Sequence, residues 1–316
     1  MWRGLFRSLS PAGRRARLST LIFHRVVPEP DPLFPGEVDA AQFDAICGWL
    51  KDWFNVLPLD QAIARLKAGS LPSRAMAITF DDGYADNASV AMPVLQSHGL
   101  TATFFVAAGF LDGGRMWNDS LIEAVRLTPL DAIDMRGLGL GEQVSLSTRD
   151  WSDKRQAIDA LIAHAKYLAP AARTEFVAAV AQRSRSELPH HLMMSSDEVR
   201  SLRRGGMGVG AHTMSHPILA RIDDETARAE MSQSKRQLEE LLAEDVTLFA
   251  YPNGRPAEDY LPHHAAMARE CGFAAAVSTA WGTADRHADI YQLPRFTPWD
   301  RTRWRFAMRL AGQLRS

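Results

Sequence analysis

The chain has 316 residues, a formal net charge of −1 and a hydrophobic fraction of 46%. This is the composition of an ordinary globular protein with material for a sizeable core, and nothing in the global charge points to nucleic acid. No run of about 18 apolar residues is present, so no spanning helix is expected. The two cysteines, Cys47 and Cys271, stand far apart in no metal-type spacing, which excludes a disulfide framework and favours buried, reduced thiols.

The first segment, residues 1–19, is basic. It carries Arg3, Arg7, Arg14, Arg15 and Arg17 among the apolar residues Trp2, Leu5 and Phe6. It lacks the uninterrupted apolar stretch of a secretory signal, so a cytoplasmic protein is expected. The C-terminal segment, residues 298–316, reads as a matching basic helix with Arg301, Arg303, Arg305, Arg309 and Arg315 beside Trp299, Trp304, Phe306 and Leu310. Such ends are either solvated helices with outward arginines or basic amphipathic helices in peripheral contact with the inner membrane face.

Between these ends, short apolar runs alternate with helical patterns. Strands are expected at Leu21–Val27, Phe54–Leu59, Ala75–Phe80 and Thr101–Ala107, then at Gly208–His212, Val246–Tyr251, Phe273–Ser278 and Tyr291–Phe296. Runs buried on both faces suit parallel strands. Helices are expected at Ala40–Trp53, Leu59–Ala68, Ala88–His98, Asp223–Ala243 and Leu261–Cys271, two of them followed by Gly99 and Gly272 at the left-handed cap position. The alternation predicts an α/β fold with a parallel sheet, and about eight strands fit a closed barrel. Residues from about 112 to 196 break the rhythm. They read as a helical insertion without a convincing strand, placed either to shape a substrate site or as a packing appendage.

Two motifs carry chemistry. Ile78-Thr79-Phe80-Asp81-Asp82-Gly83-Tyr84 ends a buried strand in two adjacent carboxylates, at the strand end where parallel α/β proteins place their sites. Neighbouring acids repel unless a positive group lies beside them, and a divalent cation meets that need. Gly210-Ala211-His212-Thr213-Met214-Ser215-His216-Pro217 supplies two imidazoles four residues apart, again after an apolar run. Two histidines and one carboxylate suit zinc or a similar first-row ion and leave open positions for water and substrate. Each motif alone also fits a surface turn or a chance pair; together they converge on one site.

With both motifs in hand, the sequence resembles the polysaccharide deacetylases of carbohydrate esterase family 4, the NodB-type homology domain, over roughly residues 20–110 and 195–297. The resemblance implies a distorted (β/α) barrel of about seven to eight parallel strands spanning 20–297, with the helical insertion inside it. It implies a metal-dependent hydrolase that removes acetyl groups from N-acetylated sugars of a polysaccharide or a lipid-linked glycan precursor. In that reading Asp82, His212 and His216 hold a divalent ion, zinc, and Asp81 is the general base. The segment Phe249-Ala250-Tyr251-Pro252-Asn253-Gly254 departs from the family pattern: Ala250 stands where many members carry an arginine that pairs with the base. Arg295 is the candidate replacement, and the backbone N–H of Tyr251 is a candidate oxyanion donor. The late histidine that many members use as general acid has no counterpart, and His24, in the first strand, is the substitute; a satisfied core histidine is the other reading of that residue. Two further functions compete, an O-acetyl esterase or other non-peptide C–N hydrolase of the same fold, and a non-catalytic glycan-binding protein.

Overall fold

Continuous burial of short strands on both faces accompanies a parallel sheet in the computed structural model, which describes residues 2–141, 144–298 and 300–315. The elements run α1 (Trp2–Leu9), β1 (Leu18–Phe23), α2 (Ala40–Trp53), β2 (Asn55–Val56), α3 (Leu59–Ala68), β3 (Ala75–Phe80), α4 (Met92–His98), β4 (Thr103–Val106), α5 (Trp117–Leu127), β5 (Ala132–Asp134), β6 (Ser145–Ser147), α6 (Trp151–Ala165), α7 (Pro170–Ser184), α8 (Ser196–Arg204), β7 (Gly208–Ala211), α9 (Asp224–Leu242), β8 (Leu248–Ala250), α10 (Pro262–Glu270), β9 (Ala275–Trp281), β10 (Leu293–Arg295) and α11 (Arg303–Gln313). Trp299, grouped above with the C-terminal apolar residues, and Ser316, the last residue of the expected C-terminal helix, lie outside the described residues.

The described residues form two compact units. The first comprises residues 1–29, 36–112 and 193–316, and the second residues 30–35 and 113–192. In the first unit the strands run β1-β3-β4-β7-β8-β9-β10, all parallel, with β2 paired to the start of β3. Since β1 pairs β3 along its whole length, β2 and β4 share the other edge of β3 in turn. Phe296 then bridges back to Leu21, its N–H donating to Thr20 and its carbonyl accepting from Ile22, so the sheet nearly closes into a distorted barrel.

Alternation sorts the side chains. Phe23, Phe80 and Phe104 point to the helix-covered face and stack in sequence, with centroid separations of 5.2 and 4.7 Å. Leu18, Ala75, Ala77, Phe105, Ala250, Ala275, Val277 and Leu293 gather in a second cluster from the opposite faces. These are mostly small, as a narrow barrel interior requires. Gly210 is glycine because a Cβ there would meet the Phe105 ring at 2.5 Å. Pro294 cannot donate to the ladder, and the register between β9 and β10 shifts at this point, from Leu293 opposite Val277 to Arg295 opposite Trp281.

The second unit corrects one expectation. Its helices α5, α6 and α7 are accompanied by a short antiparallel pair, β5 with β6, where no strand was expected. Ile133 and Leu146 face each other in that pair and join the core of Leu121, Val125, Ile158, Leu161 and Val180. Three-residue strands bury one side chain each, too little for an alternation to be read. The segment of residues 30–35 belongs here through buried Leu33 and through Asp31, which accepts two hydrogen bonds from Arg126 at 3.0 and 2.6 Å.

Candidate active site

The ends of β3 and β7 bring the two motifs together. Asp82 Oδ1 lies 3.3 Å from His212 Nε2 and 3.4 Å from His216 Nε2. This oxygen is buried and makes no hydrogen bond. The turns that achieve this are strained: Asp82, Thr213 and His216 take φ values of 78°, 63° and 55°, a region that non-glycine residues occupy at a cost of about 1–3 kcal/mol each. Adjacent Gly83, at φ 89°, meets the same demand without that cost.

His212 is oriented from behind. Its Nδ1 lies 2.8 Å from the Ala250 carbonyl. A carbonyl only accepts, so Nδ1 carries the proton and Nε2 presents a lone pair toward Asp82. The Nε2 atoms of both imidazoles then converge on one carboxylate oxygen, and the His212 lone pair is fixed toward it. That set fits a divalent cation with two N ligands and one O ligand, the count typical of a hydrolytic zinc site with open positions.

Burial opposes charge on both aspartates, and neighbouring cationic groups outweigh it. Arg295 and then His212 hold the Asp81 carboxyl below the usual range. His212 and His216 do the same for Asp82. Burial pushes His216 down to about 4 against the pull of Asp82, whereas the two aspartates overcome burial at His212 and raise it.

Arg295 sits on Asp81 as a two-pronged pair: Nη1 donates to Oδ1 and Nη2 to Oδ2, both at 2.7 Å. Two further N–H groups donate to the Ser278 carbonyl at 2.8 Å and to Thr79 Oγ1 at 3.2 Å. The guanidinium is 1% exposed and holds the carboxylate in one plane. The sequence reading of Arg295 as the partner of Asp81 therefore has its contact.

Two expectations need correction. Strand β1 ends at Phe23, so His24 is the first residue beyond the strand, and it is exposed rather than a core histidine. Its segment is pinned by Asn87, whose Nδ2 donates to the His24 carbonyl at 2.9 Å, and by Asp86, which accepts from Arg25 at 2.8 Å and from the Val26 N–H at 3.2 Å. His24 is close enough to Asp81 and Asp82 to lower both. Tyr251 is not available as an oxyanion donor in this arrangement. Its N–H donates to the Val277 carbonyl at 3.3 Å within the sheet and its hydroxyl to the Tyr291 carbonyl at 2.9 Å.

The histidine loop has support that the motif does not reveal. Glu230, on α9, accepts from the N–H groups of Met214 and Ser215 at 2.7 and 2.8 Å and from the Ser215 hydroxyl at 2.6 Å. Gly109 donates its N–H to the Met214 carbonyl at 2.9 Å, and a Cβ on Gly109 would lie 2.6 Å from that oxygen. In the sequence Glu230 is one acid among many on an amphipathic helix. A second grouping of Asp224, His263 and His264 does not suit a cation. His264 Nδ1 accepts the Leu261 N–H at 2.9 Å, which puts the proton on Nε2, the atom nearer Asp224.

A nearly closed parallel barrel with a strand-end Asp pair facing a His pair defines a hydrolase-type site. The chain belongs to the polysaccharide deacetylase family, whose model matches residues 68–128 and 165–276. It is therefore an enzyme, a hydrolase that deacetylates polysaccharide. The matched stretches contain Asp81, Asp82, His212 and His216 but neither His24 nor Arg295. Among curated proteins, the chain is similar to YxkH of Bacillus subtilis (strain 168), named by inference a polysaccharide deacetylase, with 23% identity over 282 residues, 89% of this chain and 71% of that protein. Among solved structures, it resembles the deacetylase PplD of Streptococcus pyogenes in complex with acetate, at 18% identity and a TM-score of 0.59 over 89% of this chain and 92% of the other. It also resembles IcaB of Ammonifex degensii, at 17% identity and a TM-score of 0.57 over 97% and 99% of the two chains. At these identities the structural likeness speaks for the fold.

Proposed function

We propose that the protein is a metal-dependent N-deacetylase of acetylated amino sugars, acting on a polysaccharide or a glycolipid precursor. The observation that carries this reading is the buried, unpartnered Asp82 Oδ1 facing two imidazole Nε2 atoms at 3.3 and 3.4 Å. Asp82, His212 and His216 would hold a divalent ion, zinc by the chemistry of the donor set. A bound ion there supplies a Lewis acid for the acetyl carbonyl and a lowered pKa for a nearby water.

The chain's own residues do the proton work. Asp81, kept ionised by Arg295, takes a proton from the attacking water. Arg295 fixes which carboxylate plane faces the substrate and prevents rotation of Asp81 during the transfer. His24, exposed at the end of β1 and beside both aspartates, donates the proton that lets the sugar amine leave. The water oxygen bonds to the acetyl carbon, the C–N bond breaks as the sugar amine leaves with the proton from His24, and acetate is released.

The test is acetate release from N-acetylated and O-acetylated glycans with zinc-loaded and metal-stripped protein. Release from the N-acetylated substrate only, and only with metal, is expected. Asp81→Asn should abolish release while keeping a full complement of metal, because the base is not a ligand. Preferential turnover of the O-acetyl ester would replace this reading with that of an esterase.

A further inference from the structure

We propose that the two ends of the chain form a single basic, aromatic face that docks the enzyme on an anionic lipid bilayer. Ten of the 36 basic residues lie within residues 1–23 and 301–316, and those stretches contain no Asp or Glu; all 37 acidic residues lie between them. The near-neutral whole therefore hides a strongly polarised molecule. The fold joins the two ends: Trp2 of α1 meets Trp304 of α11 edge to face with ring centroids 4.8 Å apart, and Trp2 also reaches Trp53 at 6.4 Å. Phe6 and Phe306 turn inward and are fully buried, which anchors both helices to the first unit.

The outward faces carry what a bilayer surface recognises. Arg3, Arg7 and Arg305 are exposed. On the same helix as Arg305 stand Trp304, 57% exposed, and, one turn further on, Met308, 51% exposed. Arg303 and Arg309 are matched by Asp52 and Asp300 at 2.9 and 2.8 Å, so the attraction is assigned to exposed Arg3, Arg7 and Arg305. Arginine alone would suit any polyanion. An indole and a thioether presented with it gain energy only where an apolar layer lies beneath the headgroups. Among the described residues no helix is long and apolar enough to cross a membrane, and the proposed contact is a surface one.

The placement of this face has a consequence for the site. After α1 the chain is tied to the entry of β3: Arg74 N–H donates to the Ser10 carbonyl and Gly13 N–H to the Leu71 carbonyl, both at 2.9 Å. The basic face thus lies toward the end of the barrel where β2 and β3 begin, whereas Asp81 and Asp82 follow the end of β3. A docked molecule turns its catalytic mouth toward the aqueous side. Resting on the reading of the site given above, this favours glycan projecting from the membrane over a sugar held at headgroup depth.

Vesicle co-sedimentation of the full chain tests the proposal without reference to turnover, so its failure is separate from a failure of the deacetylase reading. The protein should sediment with phosphatidylcholine vesicles containing phosphatidylglycerol and not with phosphatidylcholine alone, and added salt should release it. Arg3→Gln with Arg7→Gln should weaken the partition roughly 30-fold, the equivalent of about 1 kcal/mol for each arginine near the surface. Trp304→Ser with Met308→Ser should weaken it and remove the blue shift of tryptophan emission. Both double variants should keep wild-type circular dichroism and acetate release from a soluble substrate. Failure to sediment with phosphatidylglycerol vesicles, partition unchanged in both variants, or preference for duplex DNA over these vesicles at equal salt would overturn the proposal.

Discussion

Replacing Arg295 with glutamine probes the coupling between stability and catalysis at the base. The guanidinium makes four hydrogen bonds, two of them at 2.7 Å to a carboxylate that is 2% exposed. Removing one partner of a buried pair leaves the other charge without compensation, which costs roughly 3–5 kcal/mol. The pH dependence gives the sign. In the wild type, Arg295 is the largest of the groups that hold the Asp81 carboxyl low against burial. Its contribution to stability is therefore fully present above the unfolded carboxyl value of about 3.9 and is lost as pH falls through the lower folded value. In Arg295→Gln, burial dominates and raises the carboxyl instead, so the deficit is largest at neutral pH and shrinks on acidification as Asp81 takes up a proton. Urea unfolding of the metal-stripped protein across pH should show this closing gap, and the acid limb of the rate profile should move upward. A neutral-pH deficit under about 1 kcal/mol, or one independent of pH, would refute the reasoning.

Other consequences follow from the same contacts. His24→Ala should cost about 10²–10⁴-fold in kcat, the usual scale of general acid catalysis, with metal content unchanged; a loss of only a few-fold would remove the acid role. Glu230→Ala frees the loop between the two histidine ligands and should weaken zinc affinity about 10–100-fold, as loss of an outer partner does, while Glu230→Gln restores part of it; equilibrium dialysis reads the result. Gly109→Ala drives a methyl into the Met214 carbonyl and should cost about 1–3 kcal/mol in thermal unfolding together with reduced metal affinity.

Much of this site was legible because its parts are local in sequence. A buried strand ending in Asp81-Asp82-Gly83 and a second ending in His212 announce themselves by apolar runs that stop at polar residues. The eight barrel strands were visible for the same reason, although the apolar runs overshoot the hydrogen-bonded spans, as with Phe54–Leu59 against observed β2 at Asn55–Val56. Arg295 was readable only as a charge after a strand, and its burial and its two-pronged contact with Asp81 join residues 214 positions apart, which no local pattern encodes. The Tyr251 donor failed because its N–H is committed to Val277, a long-range partner no local pattern encodes. Glu230 was hidden for the opposite reason: exposed helical acids are common, and only the fold brings this one under the histidine loop. The β5–β6 pair was too short to register as alternation.

Zinc binding to the metal-stripped chain, measured by equilibrium dialysis for the wild type, Asp82→Asn, His212→Ala and His216→Ala, addresses the cation site most directly. One ion per wild-type chain, with affinity lost by at least about 100-fold in each variant, is the expected result. Full occupancy at wild-type affinity in His216→Ala or Asp82→Asn would contradict it.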